Sequence, residues 1–139
     1  MTFREILNTI TTALENNLPA RLITAGADPI DRFLPRIPDN EDERQVCVYL
    51  DKGNNDRYDV EDGFIVQVQL PDQRDPADYL DAVLMSIAED IDPVELGYLA
   101  LEEFDWDVGY SGKPPLSGQG SFIYITMSFK RSLDDCTEG

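Results

Sequence analysis

The sequence predicts an α+β single domain: a mainly antiparallel four-stranded sheet with helices packed on one face, in the order helix, strand, strand, helix, strand, strand. Three observations lead there. Apolar residues recur every three or four positions in two stretches, they alternate with polar residues in four others, and 139 residues suffice for one hydrophobic core without disulfide or metal staples. The segment QVQLPDQRDPADYLDAVL, Gln67 to Leu84, contains both periods and switches between them at Pro71 to Asp75.

The first helix starts at about Phe3. Thr2 and Glu5 have capping-box spacing, and Phe3, Ile6, Leu7, Ile10, Ala13, Leu14 and Leu18 share one helical face. It runs to about Asn17, and Pro19 closes it or starts a short second piece through Leu22. From Thr24 to Arg44 the chain is rich in Pro, Asp and Arg, which reads as a long loop with one turn of helix near Ile30 to Leu34. Val46, Val48 and Leu50 alternate with Cys47 and Tyr49 as a short strand. DKGNNDRYDVEDG then reads as an exposed connection, too polar for core and too long for a two-residue hairpin.

Phe64, Val66, Val68 and Leu70 form the apolar side of the second strand, with Gln67 and Gln69 facing the other way. Asp75 as N-cap, Pro76 at the first helical position and Asp78 one turn in start the second helix, since each suits unpaired amides and the positive dipole end. Its apolar stripe is Ala77, Leu80, Val83, Leu84, Ile87, Ala88 and Ile91, and Asp78, Asp81 and Glu89 lie opposite. Asp92-Pro93 ends it. The third strand sets Phe104, Trp106, Val108 and Tyr110 against Glu103, Asp105 and Asp107, and aromatics at period two on an apolar face predict core rather than a ligand platform. SGKPPLSGQG, Ser111 to Gly120, is a Gly/Pro-rich loop, and Phe122 to Phe129 is the fourth strand. Residues 1–131 make the domain and 132–139 a frayed tail.

Charge narrows the function classes. The net charge of −17, with 28 acidic residues against 11 basic, repels phosphate backbones and anionic lipid, which argues against tight nucleic-acid or membrane binding. No basic leader precedes an apolar run and about 18 consecutive apolar residues occur nowhere, so a soluble protein kept in a cytoplasm is expected. Cys47 and Cys136 make no disulfide framework.

Catalytic signals are weak. Without histidine, the commonest acid/base group and metal ligand are both missing. Glu103, Asp105 and Asp107 are the best carboxylate cluster, but strand neighbours at i and i+2 stand about 7 Å apart, which suits a solvated row better than one coordination sphere. An EF-hand loop also fails, because counting back from Gly63 puts Tyr58 at its first position and counting from Gly53 puts Val48 there. No catalytic residue, cofactor or metal is expected. What needs a reason is the acid between Asp75 and Phe129, where eleven carboxylates meet the single base Lys113.

Several features recur together along the chain. They are the amphipathic opening helix ending near Pro19, the prolines Pro35 and Pro38 before QVCVYL, GFIVQVQL followed at once by DPADYLDAVLMSIAEDI, then FDWDVGY, a long loop and SFIYITMSFKR. In order, length and pattern this resembles the tail terminator family of long-tailed bacteriophages, also called tail completion or minor tail proteins; none of the features is a diagnostic motif. The resemblance implies a virion protein at the head-proximal end of the tail, present in the host cytoplasm during assembly. It would form a homo-oligomeric ring that caps the tail tube protein, joins the head connector and lets DNA pass without binding it. A negative wall suits such a conduit. On this reading the lumen is lined by Glu103, Asp105 and Asp107 or by Asp78, Asp81 and Glu89. The docking loops hold Asp51, Asn54, Asn55, Asp56 and Asp59, and Lys113, Pro114 and Pro115. The alternative is an acidic DNA mimic that inhibits a basic nucleic-acid-binding protein; a carboxylate enzyme stays open as a third class.

Overall fold

The computed structural model describes residues 1–39, 43–55, 60–72, 75–111 and 120–131. The opening helix, α1 (Phe3–Ala25), starts as its sequence requires: the Thr2 hydroxyl accepts from the Glu5 amide at 3.1 Å and the Glu5 carboxylate accepts from the Thr2 amide at 3.3 Å. It does not stop at Pro19. A mid-helix proline costs about 3 kcal/mol, but Leu18 and Leu22 on either side are fully buried, and burying each is worth roughly 1.5–3 kcal/mol. Burial therefore carries the helix two further turns to Gly26, whose φ of 74° provides the left-handed cap.

The stretch expected as a helical turn forms β1 (Phe33–Leu34), parallel to β2 (Gln45–Asn55), with the Val46 amide donating to the Arg32 carbonyl at 2.9 Å. Two residues are too few to show a period. β2 also exceeds its apolar run, since residues 51–55 continue the ladder onto β3 (Val60–Leu70) across an irregularity between Leu50 and Gly53. The close approach there explains Gly63, because a Cβ at that position would lie 2.3 Å from the Lys52 carbonyl oxygen. The long connection expected from Asp51 to Asp62 is thus mostly strand.

α2 (Ala77–Asp90) begins one residue later than expected: Pro76 holds the cap position, and the Asp75 carboxylate accepts from the Ala77 amide at 3.0 Å. Its buried face is Tyr79, Ala82, Val83, Ser86 and Ile87, rotated from the expected stripe, with Ala77 and Ala88 exposed. Tyr79, on that buried face, donates from its hydroxyl to the Asp28 carbonyl at 2.9 Å. β4 (Ala100–Ser111) and β5 (Gly120–Lys130) complete the chain.

The sheet is five-stranded and mixed, in the order β1-β2-β3-β5-β4, with β1 its parallel member. This corrects the four-stranded expectation, while the α+β domain and its element order otherwise stand. Val46, Val48, Phe64, Val66, Val68, Ile123, Ile125 and Met127 are fully buried on one face and share a core with α1 and α2. On the other face Tyr49 donates to Gln67 at 2.6 Å and Gln45 donates to Gln69 at 2.7 Å, so the back of the sheet is polar but hydrogen-bonded.

Candidate functional site

β4 is the end strand, and its two faces differ. Glu103, Asp105 and Asp107 pair in register with Ser128, Thr126 and Tyr124 of β5, and all three carboxylates are exposed on the back of the sheet. Phe104, Trp106 and Val108 pair with Met127, Ile125 and Ile123, so they stand on the core face. The core does not cover them all. Phe104 and Val108 are half-buried, whereas Trp106 is 55% and Tyr110 65% exposed, which corrects the expectation of a buried aromatic row. Two helices each about 10 Å across shield about four strands spaced roughly 4.8 Å apart. Here β2, β3 and β5 carry the fully buried residues of the sheet, and β4 at the end carries only half-buried or exposed ones.

Two local features shape this strand. Gly109 leaves room for the Phe122 ring, which a Cβ would approach to 2.1 Å, and Phe122 in turn packs edge-on against Tyr124 at 5.5 Å. The Asp107 carboxylate accepts from the Val108 amide at 2.9 Å.

The acid face of α2 is separate, since α2 packs on the opposite side of the sheet from the β4 row. Asp78 and Asp81 are exposed and border a groove of about 490 Å³ between α1 and α2, along with Ala20, Arg21 and the half-exposed Met85. Glu89 is not a free carboxylate: Arg21 donates to it at 2.9 Å and to Asp90 at 3.2 Å. These hydrogen bonds, first to Glu89 and then to Asp90, raise the Arg21 pKa above its ordinary value. The six acidic candidates therefore form one open row, one open pair and one ion pair.

Of the candidate docking residues, Asp51 is exposed within β2, and Asn54 and Asn55 lie on its backbone close to the hairpin end. Asp56, Asp59, Lys113, Pro114 and Pro115 lie outside the described residues, as does the tail 132–139.

Sequence reasoning passed over a buried clasp. The Asp62 carboxylate, at the start of β3, accepts from the Tyr98 hydroxyl at 2.7 Å and from Arg131 Nε at 2.7 Å. Burial, followed by the bond to Asp62, raises the Tyr98 pKa. No periodicity marks these residues, which are far apart in the chain and polar. Burial also pushes the Cys47 thiol up to about 11 and the Tyr49 hydroxyl up to about 12.

Among the described residues, no three Asp, Glu, His or Cys side chains converge as a metal site, and no helix is long and apolar enough to cross a membrane. No known protein-family model matches the sequence, and no curated protein is significantly similar to it.

Proposed function

We propose that this chain is a structural ring protein of the tail-terminator kind, capping a phage tail tube, joining it to the head and leaving a negatively lined passage for DNA. The reading rests on the resemblance in element order and pattern. The observation that carries it is the two-sided end strand, where Trp106 and Tyr110 stand uncovered on one face and Glu103, Asp105 and Asp107 form an open acid row on the other. An uncovered aromatic pair calls for a neighbour. The acid row calls for water or a lumen, because burying three unpaired carboxylates would cost several kcal/mol each. In a ring both demands are met at once, with the aromatic face at the contact between copies and the carboxylates turned to the hole.

Light scattering behind size exclusion, with negative-stain electron microscopy at high protein concentration, tests the assembly. Closed rings are expected. A chain that stays monomeric or dimeric and binds basic nucleic-acid-binding proteins tightly at low salt would be a DNA mimic instead. The lumen has its own test: changing Glu103, Asp105 and Asp107 together to Lys should leave tails intact but slow DNA passage and reduce infectious particles. Normal infectivity would take this row out of the lumen and leave Asp78 and Asp81.

A further inference from the structure

We infer that copies of this chain join edge to edge, the outer edge of β4 in one copy pairing antiparallel with the outer edge of β2 in the next. This deepens the ring reading and rests on it. Both ends of the sheet are open among the described residues. β4 has β5 on one side only, and β1 covers β2 only at Val46 and Cys47, leaving residues 48–55 without a backbone partner on their outer side. Open edges of this kind are ready templates for another strand.

Strand direction makes the two edges compatible. β2 is antiparallel to β3, β3 to β5 and β5 to β4, so β4 runs opposite to β2. Rotating copies about an axis along the strands preserves those directions, so β4 of one copy meets β2 of the next in antiparallel sense. A contact between two different edges is head-to-tail and closes into a ring when the rotation divides the circle.

The side chains agree. Leu50 pairs with Phe64, Phe64 with Met127 and Met127 with Phe104, which puts Leu50 on the same face of the sheet as Trp106 and Tyr110. Leu50 is 47% exposed at one end of the sheet, and the two aromatics are exposed at the other. Joining the edges brings these apolar groups together on one face. Setting Leu50 beside Tyr110 places Asp51 opposite Gly109, so no carboxylate of the β4 row faces it across the join. A like-to-like β4 pair centred on Asp105 would instead oppose Glu103 to Asp107 and stack six carboxylates on one face, which is unfavourable.

In the free protein the edge is guarded. The acid row repels a second copy, and the Asp107 carboxylate occupies the Val108 amide. Screening should release it, since the Debye length shrinks from about 10 Å at 0.1 M to about 3 Å at 1 M salt.

The test places cysteines at Leu50 and Tyr110 (L50C, Y110C) in a background where Cys136 is Ser; Cys47 is buried and stays. Both sites are exposed, and circular dichroism checks that the variants fold. Oxidation of the double variant in 1 M salt is expected to give a ladder of covalent multimers, and each single variant at most a dimer. A second variant, Trp106→Lys, should assemble at least tenfold more weakly with an unchanged melting temperature. Multimers seen by light scattering without a ladder, or a ladder as strong in one single variant, would overturn the edge pairing while leaving a ring intact. A chain that stays monomeric in 1 M salt at millimolar concentration would overturn the ring reading itself.

Discussion

Replacing Asp62 with Ala should destabilise the fold by about 2–3 kcal/mol. The Asp62 side chain is 12% exposed and receives two short hydrogen bonds, tying the start of β3 to Tyr98 and to Arg131 just beyond β5. Truncation leaves the Tyr98 hydroxyl proton without its acceptor in a residue only 5% exposed, and a buried donor left without its partner costs roughly 1–3 kcal/mol. Arg131 loses less: its side chain is 37% exposed and regains water, so the ion pair adds at most about 1 kcal/mol. Tyr98→Phe should cost only about 0.5–1.5 kcal/mol. It keeps the ring stacked on Phe129 at 5.1 Å and leaves Asp62 its arginine. Urea unfolding measures both variants, and with a slope of about 1–3 kcal/mol/M the Asp62→Ala midpoint should fall by about 1 M or more. The double variant should be milder than the sum of the singles by about 1 kcal/mol, because the two groups share one bond. Additive losses, or an Asp62→Ala cost under about 0.5 kcal/mol, would show that the clasp does not hold the fold.

Stability should also fall as pH rises from about 9 to 12. Unfolded Cys and Tyr lose their protons near pH 9 and 10, whereas folded Cys47 and Tyr49 hold theirs to about 11 and 12. The native state thus binds more protons in that window, and stability declines through it; urea midpoints that stay flat to pH 11 would contradict the burial of Cys47. Gly109→Ala should cost about 1–3 kcal/mol through the clash with the Phe122 ring, and combining it with Phe122→Ala should recover part of that loss relative to the sum. Arg21→Ala should lower the melting temperature more than Glu89→Ala does, since Arg21 and Asp90 are only 24% and 19% exposed whereas Glu89 is 60% exposed.

Where one face is buried and the other wet, the sequence was readable. The capping box, the alternation of β3 and β5 and the α2 start signal all follow from local chemistry, and each element lies close to its expected position. The misses share a cause, a tertiary contact that local pattern does not record. Pro19 looked like an end because its cost is local, whereas the burial of Leu18 and Leu22 that offsets it comes from a core shared with α2 and the sheet. Residues 51–55 looked like loop because they are polar, yet β3 opposite them provides a ladder. Trp106 looked buried because its alternation is apolar, and only the strand order shows that β4 lies at the end. The acid row was legible as a row, but its separation from the α2 carboxylates was not, since that depends on which side of the sheet the helix packs.

The strands therefore contribute unequally to stability. β2, β3 and β5 contribute the fully buried side chains, while β4 contributes a ladder of backbone bonds and only half-buried apolar groups. Changes to the exposed side chains of β4 should cost little in folding, since surface substitutions usually fall within about 0.5 kcal/mol. A strand with that freedom can carry a sequence chosen for another purpose. A solubilising edge would put charge on both faces and leave no tryptophan uncovered. β4 instead keeps charge on one face and aromatic surface on the other, an arrangement that hinders pairing when copies are free and still offers apolar contact once repulsion is screened. Such a balance suits a protein that must stay dispersed until it is gathered at one place.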